Sequence, residues 1–316
     1  MTNGDAHESV SDYARFDFAA QWRGRERVTE VERAIVSRQL GSADRRRILE
    51  LGTGFGRLLS ALTELGGEVV ATDFDVESLN GLPARAGSSR PLRVAANIYH
   101  LPFVDGAFTS ASMVRVYHHL SDPGAALAEV GRVLRGGGRF LVSYNPKPTL
   151  GTLVNDIQRA IHPSPRTRFR STTFARGPVT LDPEPFPVYV ASRREFERTV
   201  RAVGFRPVSE VVSGLEEYYL MRRVPAGVFV RLGSALGRAP AFPARFAVLE
   251  KDQRPGASFP DLERILACPR CRTPFSPGSG DGPPVSCACG YRGTIRGAVL
   301  DLRYVPEGVR RWEAPT

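Results

Sequence analysis

Between Arg47 and Asn145 short apolar runs alternate with helical stretches: RILELG, RLLSALTELG, EVVATDFD, ESLNGL, LRVAAN, AFTSASMVRVY, PGAALAEVGRVLRGGG and RFLVSYN. A strand buried on both faces must be covered on both, and parallel neighbours need a crossover element between them. The alternation therefore predicts a parallel sheet with helices on its two faces. Upstream, VTEVERAIVSRQLG sets Val28, Val31, Ala34, Ile35 and Leu40 at helical spacing, with Gly41 as its stop. Beyond Asn145 the rhythm breaks. A Pro-, Arg- and Thr-rich stretch precedes an amphipathic helix at SRREFERTVRAVGF, then two strands at FRPVSEVV and RFAVLEK. DQRPGASFP reads as a linker.

The first strand ends in ELGTGFG, residues Glu50 to Gly56. Glycines let a ligand approach the main chain, and the following helix presents free N–H groups. Asp73 ends the next strand, where a carboxylate can accept both hydroxyls of a ribose. Loop and acid together point to a nucleoside-containing ligand; the plainer alternative is a tight turn with a chance acid. The spacing is G-x-G-x-G, at Gly52, Gly54 and Gly56. A dinucleotide fingerprint needs G-x-G-x-x-G, and no GKS or GKT follows for a P-loop.

These motifs make residues 48–145 resemble the class I S-adenosylmethionine-dependent methyltransferases, of the ubiquinone- and menaquinone-biosynthesis type (methyltransferase type 11 group). The fold so implied is a Rossmann-like, seven-stranded, mostly parallel sheet. ELGTGFG resembles the first family motif, implying that Glu50, Gly52, Thr53, Gly54 and Gly56 carry the methionine part of S-adenosylmethionine. ATDFD resembles the second, implying Asp73 on the ribose and Phe74 beside the adenine. ANIYHLPFVDGAF implies Asn97 and the Ile98 backbone at the adenine edge, Asn97 standing where the family has an aspartate. Val114, at the end of the fourth strand, completes the implied set. Two departures stand out: Thr109 replaces an aspartate, and Arg115 stands where a small polar residue is usual. Arg115 bears on substrate choice, because that strand end faces the transferring methyl.

A base is needed only if the acceptor must lose a proton. His118 and His119 are the candidates, with Tyr117 beside them. The alternative for either is packing or capping of the next helix. Tyr13 and Trp22 are candidates for a lid over the cofactor, or for core positions.

Formal charge is +10, and all but two of the 43 cations are arginine. Between Pro146 and Pro178, Lys147, Arg159, Arg166, Arg168, Arg170 and Arg176 face one acid, Asp156. From Tyr218 to Arg245 there are five arginines and no acid. These two insertions, at about 146–190 and 215–243, flank the later strands as caps. Their arginines suit a carboxylate or phosphate on a small acceptor, or an RNA backbone, and VPAGVFVRLGSALGRAPAF suits a membrane surface. A solvated arginine-rich surface is the bland alternative. No apolar run has the length of a membrane span, and the polar N-terminus has no apolar signal region, so a cytoplasmic protein is expected.

All four cysteines lie in the last fifth of the chain. CPRC (Cys268, Cys271) and CAC (Cys287, Cys289) are separated by fifteen intervening residues. Paired cysteines at this spacing read as a tetrahedral zinc site, with disulfides or free thiols as alternatives. LERILACPRC and SCACGYRGTIRGAVLDL resemble a small zinc-ribbon family that includes the activator subunit of several tRNA, rRNA and release-factor methyltransferases. The resemblance implies structural Zn2+ in a ribbon fused in cis.

The organisation expected is thus an N-terminal helical lid (1–42), a methyltransferase domain (43–252), a zinc ribbon (260–305) and a tail (306–316). The expected function is methyl transfer from S-adenosylmethionine to an O, N or C atom of a small anionic or aromatic acceptor. An RNA or protein acceptor is the alternative, and a non-catalytic cofactor-binding module the third reading.

Overall fold

The computed structural model describes residues 9–12, 16–84, 90–147, 178–180, 187–189, 191–214, 223–237, 242, 244–252, 259–275 and 286–313. Most of the two basic insertions, with Arg159, Arg166, Arg168, Arg170, Arg176, Arg222 and Arg238, lies outside the described residues, as does Tyr13.

The strands in chain order are β1 (Ser9–Asp12), β2 (Arg47–Leu51), β3 (Glu68–Asp73), β4 (Leu92–Ala95), β5 (Phe108–Met113), β6 (Leu134–Tyr144), β7 (Pro178–Thr180), β8 (Pro187–Tyr189), β9 (Phe205–Ser213), β10 (Ala244–Lys251), β11 (Thr294–Arg296), β12 (Val299–Asp301) and β13 (Arg310–Glu313). The helices are α1 (Phe18–Gln21), α2 (Glu26–Gly41), α3 (Leu59–Thr63), α4 (Val76–Asn80), α5 (Pro123–Val133), α6 (Arg193–Ala202) and α7 (Ala226–Ala235).

One sheet orders its strands β11-β12-β4-β3-β2-β5-β6-β10-β9. Strands β4, β3, β2, β5 and β6 are parallel, and β10 runs antiparallel between β6 and β9. The seven strands from β4 to β9 in this order are the expected mostly parallel sheet, and β12 and β11 extend it at the β4 edge to nine strands. All five residues of β2 are buried, as a strand covered on both faces must be. Val31, Ile35, Val36 and Leu40 of α2 are fully buried on one side of the sheet. Leu127, Val130 and Val133 of α5 are equally buried in the core on the other. α2 therefore belongs to the core, whereas Ser9 and Val10 of β1, α1 and the turn after it line the cavities described below. Ser192 and Glu195 form a capping box at the start of α6.

The triple glycine after α5 behaves differently from the expected helix stop. The helix ends at Val133, and Gly136 to Gly138 already belong to β6. There the β5–β6 register slips between Phe108 and Ser110. A Cβ at Gly138 would lie 2.9 Å from the Arg135 carbonyl and 3.1 Å from that of Thr109, so backbone alone fits the irregularity. Thr109 itself exchanges hydrogen bonds with the Arg47 backbone, its hydroxyl donating at 3.0 Å and accepting at 3.2 Å.

The cysteine-bearing segment joins the main sheet. β12 adds in parallel to the β4 edge, and β11 follows antiparallel. Ile265, Cys268, Phe275, Tyr291 and Leu302 share one core with Phe103 and Phe108. Arg47, 2% exposed, donates to the Pro260 carbonyl at 3.0 Å and fixes the entry to this segment. At its far end β13 pairs in parallel with β1.

In α7, Phe229 and Val230 are buried, and Gly233 lies so close to β9 that a Cβ would sit 2.5 Å from the Val212 carbonyl. Its Val228 and Leu232 stay exposed, as does Leu236 just beyond it. Among the described residues no helix is long and apolar enough to cross a membrane.

Candidate active site and metal centre

The glycine loop leaves β2 at the carboxyl edge of the sheet, next to the end of β3. Gly52 has φ +70°, and a Cβ there would stand 2.2 Å from Val116 Cγ2. Gly54 has φ +51° and open space where its Cβ would be. The Gly54 N–H donates to Asp73 Oδ2 at 2.7 Å, and the Asp75 N–H to Asp73 Oδ1 at 3.0 Å. Loop and acid are thus one hydrogen-bonded unit. Burial raises the Asp73 carboxyl above its ordinary range, against the two backbone N–H groups that stabilise its charge.

A cavity of about 190 Å³ opens over this unit. Gly52, Thr53, Gly54, Asp73, Phe74, Asn97, Ile98 and Val114 line it, so eight of the ten expected cofactor residues meet there. Glu50 and Gly56 stand behind its wall. Glu50 and Thr53 are buried beside one another under the loop. Burial pushes the Glu50 carboxyl up to about 8, against the Thr53 side chain that hydrogen-bonds it and the pull of the Arg57 guanidinium. Asn97 is 1% exposed and already engaged: its Oδ1 accepts from the Tyr99 N–H at 3.1 Å, and its Nδ2 donates to the Tyr304 carbonyl at 2.9 Å. One amide hydrogen remains for a ligand.

A second cavity, about 180 Å³, adjoins the first. Phe18, Trp22, Arg115 and His119 line both. The rest of its wall comprises Gln21, Arg25, His118, Asn145, Lys147, Val188 and Tyr189. Among the described residues, three cations and the rings of Phe18, Trp22 and Tyr189 line this space, and no carboxylate does. The imidazoles of His118 and His119 have centroids 4.1 Å apart. Burial holds His118 well below its usual range, reinforced by His119, Arg115 and Lys147, so its ring is neutral at pH 7.

Arg115 has φ +66°, a strained conformation for a residue with a side chain. Its N–H donates to Ser143 Oγ at 2.7 Å, and its guanidinium pairs with Glu32, which is fully buried on α2. Arg57, next after Gly56, pairs with the same carboxylate. The Trp22 ring lies 3.9 Å from the Arg57 guanidinium and 5.4 Å from that of Arg115. Sequence reasoning missed Glu32 and Arg57. A charged residue on the apolar stripe of α2 was the available signal, because an acid there must be paired.

The four cysteine sulfurs lie within 4.8 Å of one another. Cys268 and Cys289 Sγ are 3.6 Å apart, and Cys271 and Cys287 Sγ 3.5 Å. Zinc bonds of about 2.3 Å in a tetrahedron separate sulfurs by about 3.8 Å, whereas a disulfide needs about 2 Å. In the first knuckle the Arg272 N–H donates to the Cys268 carbonyl at 2.7 Å, and Arg272 takes φ +64°. In the second, the one-residue CAC spacing closes through Gly290, at φ +89°, whose N–H donates to the Cys287 carbonyl at 2.9 Å. The donor set fits a tetrathiolate metal ion.

Residues 49–142 match the family model described as a methyltransferase domain. An uncharacterized methyltransferase of Mycobacterium tuberculosis is 33% identical over 141 residues, 45% of this chain and 54% of the relative. A demethylmenaquinone methyltransferase of Thermus thermophilus is 39% identical over 111 residues, 34% of this chain and 50% of the relative. The chain spans about half the length of the curated relatives it matches. Among solved structures, the complex between the Haloferax volcanii Trm112 methyltransferase activator and a methyltransferase aligns with TM-score 0.52 at 16% identity, covering 77% of this chain and 99% of the matched one. A similar S-adenosylmethionine-dependent methyltransferase of Listeria monocytogenes aligns with TM-score 0.50 at 16% identity, covering 73% of this chain and all of the other. At that identity the likeness speaks for the fold alone. With the glycine loop, the acid after β3 and the sheet order, the matches identify residues 49–142 as a methyltransferase domain of the Rossmann-like class.

Proposed function

We propose that the protein transfers a methyl group from S-adenosylmethionine to a small anionic or aromatic acceptor. The observation that carries this reading is the pair of adjoining cavities with a common wall of Phe18, Trp22, Arg115 and His119. The first fits the cofactor. The Gly52–Gly54 backbone and Thr53 hydroxyl hold its amino-acid part, Asp73 its ribose, and Phe74, Asn97, Ile98 and Val114 its base. When bound, S-adenosylmethionine supplies an activated methyl on sulfur, so the chain's contribution is alignment and field.

The second cavity takes the acceptor. Arg25, Arg115 and Lys147 favour an oxyanion there and disfavour a protonated amine. Phe18, Trp22 and Tyr189 bring aromatic surface to the wall against which a planar ring would pack. His119 stands at the junction and is the proposed base where the acceptor carries a proton; His118 is a neutral hydrogen-bond partner. A volume of this size favours a small molecule over RNA or protein. The tetrathiolate site supports structural Zn2+ and a reducing, cytoplasmic setting.

The test is calorimetric titration with S-adenosylhomocysteine, then methyl transfer from labelled cofactor to a panel of phenols, carboxylates and amines. Turnover on the oxyanionic members is expected. Transfer only to amines refutes the acceptor assignment; RNA retained at low salt and labelled in its place supports a nucleic-acid acceptor. Absence of homocysteine-nucleoside binding refutes the enzyme reading altogether.

A further inference from the structure

The cofactor cavity is held from behind, at its nucleoside end, by the segment that follows the cysteines. Asn97 donates Nδ2 to the Tyr304 carbonyl at 2.9 Å, and the Leu302 N–H donates to the Ala95 carbonyl at 3.0 Å. Arg303 Nη1 donates to the Phe74 carbonyl at 3.1 Å, and its guanidinium carbon lies 5.1 Å from the Phe74 ring centroid. Arg303 is itself clamped, its Nε and Nη2 reaching the Asp301 carboxylate at 2.8 and 2.7 Å. The Ala298 N–H donates to Asn80 Oδ1 at 3.3 Å, so the stretch from Phe74 to the end of α4 is gripped at both ends. Arg303 and Tyr304 do not line the cavity. They act through Phe74 and Asn97, which do.

The same segment rests on the metal knuckle. The Tyr291 carbonyl accepts the Cys287 N–H at 2.9 Å, and its hydroxyl donates to the Arg303 carbonyl at 3.4 Å. Its ring meets that of Tyr304 edge-on at 6.3 Å. A Cβ at Gly293 would stand 2.4 Å from Leu302 Cδ2 and 3.1 Å from the Asp301 carbonyl. The second cysteine pair, Tyr291 and residues 301–304 therefore form one packed unit ending on the nucleoside wall.

We propose that Arg303 and Tyr304 are positioning residues for the adenine side of the cofactor seat, and that metal held by the four cysteines sets cofactor affinity through them. The proposal rests on the cavity being that seat. A wall ordered before the ligand arrives spares binding the entropy of ordering it. Loss of the metal loosens the second knuckle, then Tyr291, then the support behind Phe74 and Asn97.

The experiment uses the full chain loaded with one equivalent of zinc. Calorimetry reads affinity for S-adenosylhomocysteine and for 5′-methylthioadenosine, which keeps the nucleoside and lacks the amino acid. In Arg303→Met both affinities should fall together, by about tenfold, the scale of a cation–π contact plus a hydrogen bond. Zinc content should stay near wild type, the melting temperature should fall modestly because Asp301 loses its clamp, and Arg303→Lys should recover part of both losses. Chelation of the wild type should weaken both ligands by a similar factor, with little further loss in chelated Arg303→Met, because one unit is being disrupted twice. Zinc-loaded, folded Arg303→Met that binds both ligands within about twofold of wild type overturns the proposal. So does equal, additive weakening by chelation in both proteins. Should chelation unfold the chain, the zinc-loaded variants decide alone. Wild-type protein that binds neither ligand overturns the cofactor reading itself, which is a distinguishable failure.

Discussion

The Glu32 carboxylate and the Arg115 guanidinium are joined at 2.8 Å across 83 residues of sequence. Glu32 is fully buried, and Arg57 of the glycine loop reaches its other oxygen. One acid on α2 thus holds a side chain of each cavity, with Trp22 stacked over both guanidinium groups. Removing one partner of a buried pair strands the others. Glu32→Ala should lower unfolding free energy by about 3–5 kcal/mol in urea titration, and Glu32→Gln by less. Unchanged midpoints would show that solvent or rearrangement satisfies both arginines.

Glu50 should make cofactor binding proton-linked. With its folded carboxyl pushed up to about 8 and an ordinary value of 4.5, it is protonated in the folded chain at pH 7 and ionised in the unfolded one. The folded state then holds the extra proton, so the stability Glu50 contributes falls as pH rises from 4.5 towards about 8. A cationic ligand in the neighbouring cavity favours the ionised form, so binding releases a proton and tightens with pH over that window. At pH 7 the binding enthalpy should vary with the ionisation heat of the buffer, and Glu50→Gln should remove the variation. A buffer-independent wild-type enthalpy contradicts this account.

Two glycines one residue apart should fail differently. Alanine at Gly52 meets both a left-handed backbone and the Val116 side chain, so about 3 kcal/mol of stability should be lost. Alanine at Gly54 meets only the backbone strain, about 1–2 kcal/mol. Its methyl would occupy space beside the cavity, so affinity for S-adenosylhomocysteine should fall by about tenfold or more while the fold persists. Thermal melts and calorimetry separate the two effects. Equal stability losses would discount the Val116 contact.

His119→Ala should slow methyl transfer by about 100-fold or more on an acceptor that must lose a proton, with cofactor affinity changed only slightly. His118→Ala should act mainly on acceptor KM, since a neutral ring well below its usual range is a weak base. Single-turnover rates across pH test the split. Wild-type turnover in His119→Ala eliminates it as the base.

The α/β class, the glycine loop and the four cysteines were legible in the sequence because each depends on short-range pattern. Buried strands must be apolar, a left-handed turn calls for glycine, and paired thiols at close spacing can share one ion. The triple glycine misled because the same residue that stops a helix also fits an irregular parallel strand, and only the Thr109 and Arg135 carbonyls pressing on Gly138 decided between them. His119 could be nominated from sequence, but its position between two cavities could not. Nor could the pairing of Glu32 with Arg57 and Arg115, or the seating of Arg303 and Tyr304 behind Phe74 and Asn97. Those juxtapositions join residues separated by tens to hundreds of positions. They follow from where the sheet order sets α2 and β12, and no local propensity encodes that order.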